Sequence, residues 1–163
     1  METLEKTIGN MKSINSRLVR KGFKPIHTGS NPIRYNDNGI YTFKDGPKTL
    51  RVHPESWGRT DSSEGQGLSV YEGLNLSFGL EGPVSENTKN YLLELQNVRR
   101  DLSKKLQPSI RIVRLSCVPP NHDEIRLPEL ILEYKKGTPK RLVYDAVMLT
   151  QEAVFANMQK YLM

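Results

Sequence analysis

One cysteine, one tryptophan and only 7% aromatic residues are spread over the 163 positions of this chain. A single thiol, Cys117, excludes an internal disulfide and any cysteine-rich zinc site, and it suits a reducing compartment. No apolar run approaches the roughly 20 residues of a membrane-spanning helix, and the N-terminal stretch lacks the apolar centre of a secretory signal. Residence in the cytoplasm of a cell or infected cell, extending to a virion, is the expectation. No Gly-Lys-Ser or Gly-Lys-Thr triplet occurs. Gly65-Gln66-Gly67 precedes a strand pattern instead of opening a helix, so nucleotide hydrolysis and dinucleotide chemistry lack support. Internal repeats are absent as well.

Charge is what the chain does have, and it comes in blocks. The formal net charge is +6, with residues 1–24 at +4, 25–54 at +2, 55–86 at −5, 87–114 at +5 and 115–163 balanced. An even scatter would only aid solubility, whereas blocks set up a field that draws phosphate polymers, anionic headgroups or acidic protein surfaces. Two amphipathic helices carry most of the positive charge. In residues 3–21, Leu4, Ile8, Met11 and Leu18 form one stripe, with Lys6, Arg17, Arg20 and Lys21 opposite and Gly22 as the stop. Read as heptads, Leu4, Ile8, Met11, Asn15 and Leu18 form a seam that suits self-association, while packing on the chain's own sheet is the alternative. The second helix spans 85–106, with Ser85 as cap and Tyr91, Leu92, Leu95, Val98, Leu102 and Leu106 on its apolar face. Leu93 is expected to stand exposed among Lys89, Arg100 and Lys104.

Strand patterns fill the remainder. Residues 40–44 and 49–53 read as a hairpin around Asp45-Gly46-Pro47, and 68–71 and 74–80 as two strands joined at Glu72-Gly73. A strand is expected at 110–118, a proline-bounded loop at 119–128, and a second hairpin from 130–134 and 141–149. Thr150 then caps a short final helix. These elements predict an α+β fold: one domain over 1–163, an antiparallel sheet of about five to six strands, and two to three helices mainly on one face.

The chemistry-bearing residues are sparse. His122-Asp123-Glu124 lacks any metal-ligand spacing, and no metal or cofactor is expected. Candidate anion or nucleic-acid contacts are Lys89, Arg99, Arg100, Lys104 and Lys105 on the second helix, Arg111 and Arg114 on the following strand, and Lys135, Lys136, Lys140 and Arg141 near the last turn. Tyr41 and Phe43 alternate on a strand and either stack bases or fill the core. Trp57, in an acidic loop, offers a partner contact along with Leu93.

The order of elements, a strand at 74–80 running through Gly82-Pro83 into the 85–106 helix and then strands and a terminal helix, resembles the matrix proteins of rhabdovirus-like negative-strand RNA viruses. The resemblance covers the last half of the chain. Val118-Pro119-Pro120-Asn121 lacks the tyrosine of that family's proline-tyrosine motif. It implies a small, basic, non-enzymatic structural protein that self-associates as a homo-oligomer and bridges a ribonucleoprotein to an anionic membrane surface, bound peripherally. A sequence-independent nucleic-acid-binding module is the alternative, and a small enzyme using Cys117 or His122 a third.

Overall fold

Leu74, Leu76, Phe78 and Leu80 alternate with Asn75, Ser77 and Gly79, and in the computed structural model the four apolar side chains are 0–3% exposed. The described residues are 16–25, 41–55, 71–85, 88–117 and 124–162. Among them six strands form one sheet: β1 (Lys24–Pro25), β2 (Tyr41–Asp45), β3 (Lys48–Glu55), β4 (Tyr71–Glu81), β5 (Ile110–Ser116) and β6 (Glu124–Lys135). Their order is β1-β2-β3-β4-β6-β5 and every pairing is antiparallel. Residues 16–20 are helical (α1), followed by α2 (Tyr91–Lys105) and α3 (Lys140–Gln159). One cluster joins the inward side chains of the helices to a single face of the sheet. This is the expected α+β architecture.

The end of α1 shows how local chemistry sets the entry into the sheet. Gly22 adopts φ +104°, the Phe23 amide donates to the Leu18 carbonyl at 3.0 Å, and the Gly22 amide donates to Val19 at 3.0 Å. That pair of bonds is a Schellman stop, and Leu18 and Phe23 pack together in the core as such stops favour. Leu18 is therefore spent on the chain's own core, which corrects its assignment to a partner interface. Leu4, Ile8, Met11 and Asn15 lie outside the described residues. Gly22→Ala should cost about 1–2 kcal/mol, because a Cβ is strained at this φ, and thermal unfolding would measure it.

Four expected boundaries are corrected. Glu72-Gly73 is no turn: Gly73 pairs with both Glu55 and Glu133, so two flanking ladders override a weak local signal. The 119–128 loop gives way to β6 at Glu124, and Pro128 falls where the β4–β6 register shifts between Ser77 and Gly79, a place that needs no ladder donor. Ser85 does not cap α2. Its amide instead donates to the Tyr161 carbonyl at 2.7 Å while Val84 bridges Leu162, and Asn90 occupies the cap position. Finally, 141–149 is no strand. Val143, Val147, Thr150, Gln151, Val154 and Met158 line the inward face of the continuous helix α3, launched by Pro139, whose carbonyl accepts from Leu142 at 2.9 Å.

A bulge in β5 decides which arginines reach the outside. The register against β6 shifts between Ile112 and Arg114, so Val113 is the extra residue. Ile110 and Ile112 face the helices, and after the bulge Leu115 does so while Arg114 turns to the other face opposite Ile131. Without it the apolar spacing 110, 112, 115 would fit no single face.

Candidate anion-binding site

The helices run in opposite directions along the sheet. The Tyr91 and Tyr161 rings meet edge to face at 5.0 Å, joining the start of α2 to the end of α3. The other end of the layer is reached by the last turn of α2, the last residues of β6 and the first turn of α3. There the Lys135 amide donates to the Ser109 carbonyl at 3.2 Å and Ile110 pairs with Tyr134. Topology thus gathers Lys104 and Lys105, Lys135 and Lys136, and Lys140 and Arg141 at one end, all six exposed.

Electrostatics differ between the two helices there. Lys104 and Lys105 sit in the last turn of α2, where cations complement the dipole. Lys140 and Arg141 open α3, where the dipole already supplies positive charge, with no acid in the first turn and no side-chain cap on Pro139. This is a sequence choice against helix stability, by about 0.3–1 kcal/mol per cation. Exposed cations at the positive end of a helix dipole suit an anion.

The other expected contacts fare differently. Arg99 donates to the Ile112 carbonyl at 3.1 Å, so it ties α2 to β5 and is not a free cation. Arg111 lies on the sheet face away from the helices, donating to the Glu133 carboxylate at 2.8 Å and stacking over the Tyr71 ring at 5.3 Å. Glu133 is 1% exposed, which makes Arg111 the counter-ion of a buried carboxylate and corrects its assignment to an external anion. Arg114 is exposed on that face, away from the gathered lysines. In the N-terminal helix, Arg17 pairs with Asp145 and lies over Tyr144, and Lys21 pairs with Glu152 at 2.8 Å. Two of the cations expected to project from that helix are thus neutralised by α3.

Arg100 and Lys104 are exposed along the outer side of α2, as is Leu93, which is 62% exposed, and Lys89 is exposed in the turn just before the helix. Leu92, expected on the apolar face, is instead 53% exposed. Gln96, Arg99 and Ser103, at i+4, i+7 and i+11 from Leu92, are polar, and only Leu95 at i+3 ties it to the apolar face. Phe43 is 1% exposed and fills the core, so it stacks no base. Trp57 and His122 lie outside the described residues, as does the Tyr41 side chain.

At the opposite end of the layer, buried Tyr91 and Tyr161 and partly buried Glu94 and Cys117 form a polar group. The Tyr161 hydroxyl donates to Glu94, and burial together with that carboxylate pushes its pKa up to about 12. Burial chiefly, then Cys117 and Tyr161, push the Tyr91 hydroxyl higher than the ordinary range. Burial also raises the Cys117 thiol, keeping it protonated at neutral pH, whereas a nucleophile needs the reverse. An unfolded tyrosine ionises near 10.0 while folded Tyr161 holds its proton to about 12. Stability should therefore be intact below that lower value and fall as pH rises through the interval, because the unfolded state releases protons the native state keeps. Urea unfolding at about pH 9 and about pH 11 checks this, and Tyr161→Phe should flatten the decline.

Among the described residues no group of three or more His, Cys, Asp or Glu side chains could hold a metal ion, and no helix is long and apolar enough to cross a membrane. No protein-family model matches this chain, and neither a curated protein nor a solved structure matches it.

Proposed function

We propose that this is a non-enzymatic binding and assembly protein whose basic end holds a phosphate-bearing polymer, RNA foremost, through charge and not through base edges. The observation that carries the reading is the first turn of α3, where Lys140 and Arg141 oppose the helix dipole beside Lys135, Lys136, Lys104 and Lys105. An anion there relieves mutual repulsion among the cations of this end and gains from the positive end of the α3 dipole. Among the described residues the two most exposed large hydrophobics, Leu92 and Leu93, open α2 at the opposite end, so a polymer suits the basic end better than a lipid surface. Copies aligned along one strand would supply the assembly, and the resemblance of the element order to virus matrix proteins is what suggests a virion structural role.

Fluorescence anisotropy with a labelled single-stranded RNA tests the reading. Reversal of Lys136, Lys140 and Arg141 to Glu should weaken binding at least tenfold at low salt, with circular dichroism confirming the fold. Unchanged affinity overturns it. Preference for anionic vesicles over RNA replaces the polymer with a membrane.

A further inference from the structure

We infer that the outer face of α2 docks an acidic amphipathic helix of a partner protein, seated on Leu92 and Leu93. These two adjacent leucines are 53% and 62% exposed, the most exposed large hydrophobics among the described residues, while Tyr91 and Leu95 beside them are buried. An apolar pair of this kind on one helix is a docking feature when the charge around it is predominantly of one sign. The rim here is positive. At helical spacing the outward arc consists of Leu92, Leu93, Gln96, Asn97, Arg100, Ser103 and Lys104, none of them acidic, and Lys89 is exposed in the turn that precedes the helix. Asp101 is exposed at the border of the arc beside Asn97 and Lys104, so the rim is net positive and not of one sign, while Glu94 lies toward the core with one oxygen buried.

Charge selects the occupant. A second copy pairing this face with itself would oppose Lys89, Arg100 and Lys104 to their own duplicates, which costs free energy instead of supplying it. A nucleic-acid backbone would use the cations and leave the leucines wet. A bilayer would need a broad apolar face, whereas the arc offers two leucines among Gln96, Asn97 and Ser103. A helix with leucines on one stripe and Glu or Asp along its borders satisfies both parts: apolar contact on the dyad, carboxylates toward Lys89 and Arg100. Helix-against-helix docking of this type reads as i, i+3, i+4 and i+7 anchors on the partner.

The test uses the full chain and a synthetic helical peptide of alternating Leu and Glu stripes, with a control in which Ser replaces Leu. By anisotropy the Leu peptide should bind at least tenfold tighter than the Ser control, and Leu92→Asp with Leu93→Asp should abolish that difference. Lys89→Glu should weaken binding and reduce its salt dependence. RNA affinity should be unaltered in the leucine variant, so failure here and failure of the basic-end reading are separate results. Equal binding of both peptides, or insensitivity to the leucine substitutions, overturns the inference. So does a wild-type dimer in sedimentation that the leucine variant dissociates, or anionic vesicle binding that those substitutions remove.

Discussion

Replacing Phe155 with alanine should lower the unfolding free energy by about 4 kcal/mol, a large part of the 5–15 kcal/mol expected of a domain this size. The side chain is 1% exposed on α3 and meets Phe78 of β4 edge to face at 5.3 Å and Phe23 at 6.1 Å. The Lys48 ammonium also lies 5.6 Å from its ring centre. One ring therefore joins the sheet, the longest helix and the residue that ends the N-terminal stop. Its loss removes apolar transfer energy and leaves a cavity, and two aromatic pairs disappear at about 0.5–1.5 kcal/mol each. Phe155→Leu retains much of the volume and should cost less than half as much. Urea denaturation with an unchanged m-value measures the difference, and amides at 18–23 should exchange faster because Phe23 loses its partner. A loss under about 2 kcal/mol would mean that the cavity collapses and that Phe155 is not the joint.

The arithmetic of alternation made Leu74–Leu80 of β4 and the centre of the β2–β3 hairpin legible, because Leu74, Leu76, Phe78 and Leu80, and Phe43, Leu50 and Val52, alternate with polar residues or glycine, while Glu72, Asp45 and Lys48 at the strand ends break the pattern. The same reasoning failed at 141–149, where Val, Tyr and Val raise strand propensity while the buried polar residues Thr150, Gln151 and Asn157 blur the helical stripe. Only the packing of the whole length of α3 decides the matter. The basic residues were legible as types and not as places. No local pattern shows that a bulge at Val113 turns Arg114 outward, or that Glu133 is buried and claims Arg111. Conversely, the Leu93 exposure followed from helical spacing alone, since α2 has a full apolar stripe without it.

Salt should act on RNA binding more strongly than any single substitution. If four to six of the cations at the basic end each neutralise one phosphate, the slope of log affinity against log salt is about −3 to −4 for a single strand. A rise from about 50 mM to about 200 mM salt then lowers affinity by about 100-fold, chiefly because released counter-ions lose their entropic gain. The variant with Lys136, Lys140 and Arg141 changed to Glu should show a slope shallower by about 2, so its curve and the wild-type curve converge at high salt. Convergence identifies an electrostatic loss. Parallel curves displaced by a constant factor would instead indicate a damaged fold, and a wild-type slope shallower than about −1 would mean that the end makes no phosphate contacts. Substituting the RNA sequence at constant length should leave both slopes unaltered, because no base edge is read. Arg111→Gln provides the internal contrast. It removes a cation that Glu133 already holds, so it should leave the RNA slope as it is while destabilising the fold by about 2 kcal/mol, the cost of a buried carboxylate deprived of a half-exposed partner.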